Sequence, residues 1–288
     1  MEGHGLLENK RGIIFGAVDE HSLAWHVAEQ CHAEGARMVL TNSRFGLQLG
    51  TIQDLAEKTG STVIECDATD VEQLRSLLTE SMRLLGGQLD FILHAVAQSP
   101  NIRRRRPYDK INYSYFLQTL DISALSLHKL LQTAKEMDAI AEWGSVVALS
   151  YIAARKPVYG YVDMGDAKAL LESVTRTFGQ VYGEDKHVRI NTVSQSPTRT
   201  RATEQFPELH IMQTYANDMS PLGNADADSC ANTCVMLFSD YTRYITMQNI
   251  CNDGGFSASG LTARYILNSK YFELRKNENN GNTTNSQH

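Results

Sequence analysis

The architecture of this chain can be predicted from the residues Gly12-Ile13-Ile14-Phe15-Gly16-Ala17-Val18-Asp19-Glu20-His21-Ser22-Leu23-Ala24. The apolar run 12–15 predicts a strand that is buried on both faces, and Gly16 then permits a tight turn. Ser22 begins a helix that reaches about His32, and a second apolar strand follows over residues 37–41. Strand, helix and strand in this order predict a βαβ unit with parallel strands.

The same alternation continues along most of the chain. Further strands are predicted at 62–66, 90–95, 145–150, 188–193 and about 247–251, and helices at about 46–58, 71–85, 115–137, 161–181 and 226–239. We therefore predict an α/β fold: a single Rossmann-like, doubly wound parallel sheet of about seven strands with helices on both faces and a substrate-binding lid. Residues 1–270 form one domain in this prediction.

Two segments depart from the alternation. Residues 194–220 form a long connection with weak periodicity, and long connections in compact domains are often functional lids. Residues from about 277 to 288 are rich in Asn, Thr, Gly and Ser and can bury little apolar surface, and we predict that residues 271–288 form a disordered tail.

Bulk composition excludes several classes of function. Of the 288 residues 42% are hydrophobic, and the formal net charge of −6 disfavours nucleic-acid binding, which needs a basic surface. No apolar run is long enough to span a membrane, and the N-terminus lacks the apolar core of a signal peptide, so we expect a cytoplasmic protein. The five cysteines are irregularly spaced, and we interpret them as reduced, mostly buried thiols with no metal site.

Ligands of open α/β sheets bind beyond the carboxyl ends of the strands, so these ends are the candidate cofactor site. Gly16 is the only glycine of the first turn, and Ser22 could support a bound pyrophosphate or only cap its helix. Asp67, after the third strand, could accept a hydrogen bond from adenine or cap the next helix. The second strand lacks a terminal acid, and Arg44 could face a 2′-phosphate or water, which leaves NADH and NADPH both open.

The fifth strand leads into the most informative segment, which contains Tyr151, Tyr161 and Lys168. Tyr161 and Lys168 are seven residues apart, so both lie near one face of a helix. A lysine can hold nicotinamide ribose hydroxyls, while a phenol can donate a hydrogen bond to a developing oxyanion. The alternative is a surface lysine and a core tyrosine, and the position after this strand favours the catalytic interpretation.

The chain resembles the enoyl-acyl-carrier-protein reductases of bacterial fatty-acid synthesis over roughly residues 5–260. The motifs that carry the resemblance are Gly5-Leu6-Leu7, Ser22-Leu23-Ala24-Trp25, Leu89-Asp90-Phe91 with His94, Asp121-Ile122-Ser123, Leu149-Ser150-Tyr151, Tyr161-x-x-Met164-x-x-x-Lys168, Arg189-Ile190-Asn191, Ser196-Pro197-Thr198-Arg199-Thr200 and Asp253-Gly254-Gly255-Phe256. A typical short-chain dehydrogenase has its tyrosine where Met164 stands, so the phenol here acts from one turn further away.

The resemblance implies hydride transfer from NADH, with NADPH possible, to a trans-2-enoyl thioester carried by acyl carrier protein. Tyr161 would stabilise the enolate, Lys168 would bind the cofactor ribose, and Tyr151 would line the acyl site with a secondary catalytic role. The implied cofactor contacts are Gly16, Ser22, Leu23, Ser43, Asp67, Ala68, Val96, Lys168, Thr198, Arg199, Thr200, Arg201 and Ala202, and the implied substrate contacts are Ser99, Tyr151, Tyr161 and Met164. The resemblance also implies a homotetramer and a lid over residues 203–217.

Three alternatives stay open at this stage. The run Arg103-Arg104-Arg105-Arg106 could steer acidic acyl carrier protein or could be a solvated loop. The chain could be another short-chain reductase, of the 3-ketoacyl or sugar-alcohol type, although Met164 argues against it. It could also be an inactive nucleotide-binding scaffold, which the intact Tyr161 and Lys168 disfavour.

Overall fold

The structure is a computed structural model that describes residues 3–201, 203–204 and 209–269. Seven strands of this described part form one sheet in the order β3-β2-β1-β4-β5-β6-β7. They are β1 Arg11–Phe15, β2 Arg37–Asn42, β3 Thr62–Glu65, β4 Leu89–His94, β5 Ile140–Ser150, β6 Arg189–Gln195 and β7 Asn249–Asn252. Every pair of neighbours is parallel, which confirms the predicted doubly wound sheet.

Helices connect the strands and cover both faces of the sheet. They are α1 Leu23–Ala33, α2 Arg44–Leu49, α3 Ile52–Thr59, α4 Val71–Leu85, α5 Pro100–Arg103, α6 Tyr113–Leu120, α7 Ser126–Glu136, α8 Val162–Lys186, α9 Leu209–Met219, α10 Ala227–Phe238 and α11 Ala263–Asn268. The predicted disordered tail, residues 271–288, lies outside the described residues.

Three predicted elements differ from the structure. The single helix predicted over 46–58 is α2 and α3, because Gly50 is extended and a Cβ there would lie 1.9 Å from the Val18 carbonyl oxygen. The helix predicted over 115–137 is interrupted by a π-helical turn at Asp121–Leu125. The connection predicted over 194–220 contains α9, whose weak periodicity follows from burying only Ala216 and Met219.

The alternation of side chains along the central strands builds two hydrophobic cores. Ile14 packs on the face covered by α1 and α10, whereas Ile13 and Phe15 pack on the face covered by α4, α7 and α8. All three are essentially inaccessible to solvent. The unbroken apolar run of β1 is therefore the sequence signature of a strand covered on both faces.

The cysteines follow the expected pattern. All five are free, and Cys31, Cys66, Cys230 and Cys234 are buried while Cys251 is exposed. Within the described ranges no helix is long and apolar enough to cross a membrane. The same residues contain no group of three or more His, Cys, Asp and Glu side chains placed to hold a metal ion.

Arg189 is a buried cation at the start of β6, and its guanidinium donates hydrogen bonds to carbonyl groups at the carboxyl end of α10. It donates to the carbonyl oxygens of Leu237 at 2.7 Å and Ser239 at 3.2 Å, and to Thr242 Oγ1 at 2.9 Å. The last carbonyls of a helix have no partner within the helix and carry partial negative charge, so a cation suits this place. Burial lowers the pKa of Arg189 to about 10, which leaves it charged at neutral pH.

We expect Arg189→Ala to destabilise the fold by on the order of 3 kcal/mol, because several buried carbonyls lose their donor together. Urea unfolding followed by circular dichroism measures this loss. Arg37→Ala is the control. Arg37 is exposed and, like Arg189, is the first residue of its strand, so its substitution should lower the free energy of unfolding by less than about 0.5 kcal/mol. Equal losses in both variants would contradict the capping role of Arg189.

Candidate active site

The candidate site lies where the sheet order reverses, between the carboxyl ends of β1 and β4. Strand β1 leads to β2 on one side, and β4 continues on the other side, so the loops after the two strands separate. The turn after β1 presses against the turn after β4. Gly16 has a φ of +95°, and a Cβ added there would lie 2.2 Å from the Ala95 carbonyl oxygen. Only glycine meets both demands, which explains the single glycine of this turn.

Helix α1 points its amino terminus at this crevice. Ser22 occupies the N-cap position, but its side chain makes no capping bond to α1. Instead, Ser22 Oγ accepts hydrogen bonds of 3.1 Å from the backbone amides of Val18 and Asp19. The alternative in which Ser22 only caps its helix is therefore wrong. Its hydroxyl orders the loop, and the first-turn amides of α1, including that of Leu23, suit an anion.

The segment after β6 closes the same crevice from the opposite side. Arg201 forms an ion pair of 3.3 Å with Asp19, which lies in the loop before α1. Thr203 Oγ1 accepts from the Thr200 amide at 2.7 Å, and Thr198 Oγ1 donates to the Ser196 carbonyl at 2.9 Å. The ion pair places Arg201 beside the loop that precedes α1, and the other two bonds order the segment internally. Ala202 lies outside the described residues.

Tyr151 and Tyr161 meet after β5. Their ring centroids are 4.9 Å apart with an interplanar angle of 50°. Desolvation raises the pKa of Tyr151 to about 12 and raises that of Tyr161 further, with Tyr151 adding to the second shift. Both phenols therefore keep their protons at neutral pH, as a hydrogen-bond donor to a developing oxyanion requires.

Lys168 lies two turns along α8 from Tyr161 and is buried at 5% exposure. Its Nζ donates a hydrogen bond of 2.8 Å to the Leu149 carbonyl at the end of β5. Burial lowers the pKa of Lys168 to about 8, and the charge of Glu172 acts in the opposite direction. The surface lysine of the alternative interpretation is thus excluded, because the ammonium group is buried at the end of β5.

Two buried acidic residues of α8 were not predicted as site residues from the sequence. Glu172 is buried, accepts from Ser150 Oγ at 3.0 Å and pairs with Arg155 Nε at 3.1 Å. Asp163, directly after Val162, is fully buried. The sequence contained a signal for both residues in its helical spacing. Glu172 follows Lys168 by one turn, and Asp163 lies on the same helical face as the apolar Ala167.

The π-helical turn and the residue after it form hydrogen bonds with the carboxyl end of β4 and the loop that follows it. His94, the last residue of β4, is buried, and burial lowers its pKa to about 3, so the ring is neutral. Its Nε2 lies 2.8 Å from Ser126 Oγ, whose proton is donated to the Ile122 carbonyl at 2.7 Å. The imidazole nitrogen must therefore be the donor. Ser123 Oγ accepts from the Gln98 amide at 3.0 Å, which fixes the next part of the loop.

The remaining predicted substrate contacts lie near Tyr161. Met164 is buried and packs with Ile102 and Ala167, with Tyr161 at the edge of the cluster. Ser99 is also buried, but its hydroxyl donates to Asp163 Oδ1 at 2.6 Å and accepts from the Ile102 amide at 3.1 Å. The hydroxyl is thus committed to protein groups, and the predicted contact of Ser99 with substrate stays a prediction.

The predicted adenine end lies along β2 and β3. Asp67 is exposed, and its Oδ1 accepts from Thr69, whereas Asp70 is the residue that caps α4. The helix-capping alternative for Asp67 is therefore wrong.

Ser43, after β2, caps α2 by accepting a hydrogen bond from the Gly46 amide at 3.3 Å. Arg44 is exposed at the same end. The buried Ala68 and the partly buried Val96 complete this set of predicted cofactor contacts.

A cavity of about 720 Å³ lies beside Tyr161. Arg105, Arg106, Tyr108 and Tyr161 are among its lining residues. All four arginines of the run 103–106 are exposed, and the guanidinium of Arg104 stacks over the Tyr115 ring at 5.1 Å. The structure thus brings the arginine run to the rim of a cavity that reaches Tyr161.

Part of the predicted lid is visible in the described residues. Helix α9 covers Leu209–Met219, while residues 205–208 lie outside the described ranges. Ile211 is 67% exposed and Tyr215 is 47% exposed, so the helix leaves apolar side chains uncovered. Tyr215 contacts Phe256 and Tyr265 edge to face, at 5.8 Å and 5.9 Å between centroids.

Comparisons with known proteins agree with this geometry. A family model described as enoyl-(acyl carrier protein) reductase matches residues 16–257. The FabI–NADH complex from Alistipes finegoldii is 52% identical with a TM-score of 0.91, and the alignment covers 93% of this chain and 94% of that one. The Bacillus cereus enoyl-acyl carrier protein reductase, solved with NADP+ and indole naphthyridinone, is 27% identical with a TM-score of 0.82, covering 89% of this chain and 99% of that one.

A curated relative, the NADH-type enoyl-acyl-carrier-protein reductase FabI of Aquifex aeolicus, is 32% identical over 267 residues. This alignment covers 90% of the present chain and 96% of the relative. The similarity therefore extends over most of the chain. The chain belongs to the enoyl-(acyl carrier protein) reductase family.

Proposed function

We propose that this chain is an NADH-dependent enoyl-acyl-carrier-protein reductase that reduces the trans-2 double bond of a carrier-bound enoyl thioester. The observation that carries the proposal is the placement of Tyr161, in ring contact with Tyr151, two helical turns from the buried Lys168 at the carboxyl end of β5. The named cofactors and substrates of the relatives support the same chemistry.

The residues present fit a dinucleotide. The first-turn amides of α1 receive no side-chain cap, and the Gly16 turn has no room for a Cβ, so backbone can approach a pyrophosphate closely. Lys168 would hold the nicotinamide ribose, and residues 198–201 would contact the pyrophosphate side. When bound, NADH supplies the hydride for the β-carbon of the enoyl group.

The chain's own catalytic work is electrostatic. Addition of hydride to the β-carbon pushes negative charge onto the thioester oxygen. The protonated phenol of Tyr161 donates a hydrogen bond to that oxygen and stabilises the enolate. The ammonium of Lys168 adds positive charge nearby, and Tyr151 lines the acyl side. Because Met164 stands where ketone reductases place their tyrosine, this geometry suits a carbonyl two atoms from the reacting carbon.

The acyl carrier protein is proposed to approach over the arginine run. Arg105 and Arg106 line the cavity that also contains Tyr161, so a carrier bound there could deliver its thioester to the phenol. Exposed cations at the rim of a site raise the rate at which an acidic partner is captured. The homotetramer and the cytoplasmic location expected from the sequence remain predictions.

We expect Tyr161→Phe to lower kcat by about 100-fold, because one donor to the developing oxyanion is lost. The assay follows loss of nicotinamide absorbance with crotonyl thioester, with NADH and NADPH in separate cuvettes, and NADH should be the better donor. Tyr241→Phe is the control, since Tyr241 is 84% exposed and distant from the site. No turnover with either nucleotide, from folded protein that binds one of them, would favour the ketoreductase or scaffold alternative.

The buried Lys168 predicts an alkaline limit to activity. Its pKa of about 8 means that the free enzyme loses this positive charge as pH rises through that value. The kcat/KM for NADH reports on the free enzyme and should fall above pH ~8. Lys168→Arg keeps the charge at higher pH, so its fall should move upward whatever its absolute activity. Parallel profiles for the two enzymes would show that another group sets the limit.

Reversing the charges of Arg105 and Arg106 to Glu should raise the KM for crotonyl-acyl-carrier protein by about tenfold, through loss of electrostatic capture. The KM for crotonyl pantetheine, which has no carrier surface, should stay unchanged. Arg37→Glu is the matched control, because it reverses an exposed charge at the amino end of β2, whereas the arginine run follows the carboxyl end of β4. An unchanged KM for the carrier-bound substrate would refute steering by this run.

A further inference from the structure

The first turn of α8 contains a residue with a strained backbone, Val162, followed by a buried acid, Asp163. Val162, directly after Tyr161, has a φ of +40°. A β-branched residue pays a steric penalty in this region, and such strain persists only where the surroundings over-determine the backbone. The next residue, Asp163, is fully buried and is the residue best placed to hold the strained turn.

Three side chains from outside α8 surround the Asp163 carboxyl group. Ser99 Oγ donates to Oδ1 at 2.6 Å, and Asn101 Nδ2 donates to Oδ2 at 2.7 Å. Thr119 Oγ1 lies 2.9 Å from Oδ2 and equally far from the Tyr115 carbonyl, so its single proton serves one of the two at a time. A buried acid is costly without partners, and here its oxygens are amply satisfied.

The same contacts connect three separate parts of the site. Ser99 caps α5 and belongs to the loop after β4, while Thr119 lies on α6, just before the π-helical turn. Asn101 and Asn112 exchange hydrogen bonds of 3.2 Å and 3.0 Å, which join α5 to the start of α6. The Asp163 carboxyl group is therefore the point at which these elements are tied to the helix that carries the tyrosine and the lysine.

We propose that Asp163 is a positioning residue whose hydrogen bonds to Ser99, Asn101 and Thr119 hold Val162 in its strained conformation and thereby aim Tyr161. Without this anchor the backbone at Val162 relaxes toward ordinary helical values, and the phenol one residue earlier rotates with it. The proposal rests on the proposed catalytic role of Tyr161. It adds a residue that touches neither substrate nor cofactor but determines where the catalytic phenol stands.

The activity test compares Asp163→Leu with Asp163→Asn. Leucine removes every hydrogen bond of the carboxyl group, whereas asparagine keeps one acceptor for Asn101 and Thr119 and can donate to Ser99 Oγ. We expect Asp163→Leu to lower kcat at least about tenfold with little change in the KM for NADH, and Asp163→Asn to keep most of the activity. Wild-type kcat in Asp163→Leu would overturn the proposal.

Val162→Gly supplies the specific readout. Glycine adopts a positive φ without the Cβ penalty, so in Asp163→Leu it should restore part of the lost kcat by letting the turn keep its shape. A merely structural role for Asp163 predicts no such rescue. Glu34→Met is the matched control, because Glu34 is a buried carboxylate that binds the His4 and Leu6 amides at 2.9 Å and 3.0 Å. It should lower the urea midpoint without changing kcat.

A double-mutant cycle in urea tests the anchor without turnover. Val162→Gly relieves strain in the wild type, and it has little strain to relieve once Asp163→Leu lets the turn relax. The two midpoint shifts should therefore not add. Additive shifts would overturn the proposal even if the enzyme were active. Absent turnover in the wild type, together with non-additive shifts, would refute the proposed function while leaving the anchor in place.

Discussion

The parallel pairing of β1 with β4 is the contact on which the rest of the site depends. Strand order reverses at this pair, so the loops that follow the two strands separate and leave a crevice at their carboxyl ends. The pairing also brings the Gly16 turn against Ala95, where a side chain would collide with backbone. The candidate dinucleotide site at this edge therefore follows from topology and from one glycine, because these two features provide the helix amino terminus and the close backbone approach.

Buried polar groups supply the chemistry around that crevice. Lys168, Asp163 and Glu172 are all buried. Lys168 and Glu172 are held by the end of β5, through Leu149 and Ser150, and Asp163 is held by Ser99 in the loop after β4. The low local dielectric acts in two ways: it keeps the tyrosine phenols protonated and brings the lysine pKa close to neutral. The same burial would be destabilising if the partners were missing. Function and packing are therefore coupled closely in this part of the molecule.

Helix α8 begins with a strained residue next to the proposed catalytic tyrosine. Val162 lies between the tyrosine and a carboxyl group with partners on three elements, so a locally unfavourable backbone is held by tertiary contacts. The π-helical turn at Asp121–Leu125 is a second irregularity at the same site, and it brings Ser123 and Ser126 to the end of β4. Both irregularities lie within the elements that surround the crevice.

The amino-acid sequence alone specifies the doubly wound sheet, because an apolar run such as that of β1 is stable only with helices on both faces. It also determined the spacing of Tyr161 and Lys168, since seven residues on a helix bring two side chains near one face. Three roles depend on the folded chain: Ser22 orders a loop, Asp70 rather than Asp67 caps α4, and Ser99 binds Asp163. Local patterns report periodicity and capping preference, whereas these partners lie on other elements or depend on the path of a loop. A hydrogen bond between residues 64 positions apart, as between Ser99 and Asp163, leaves no periodic trace in the chain.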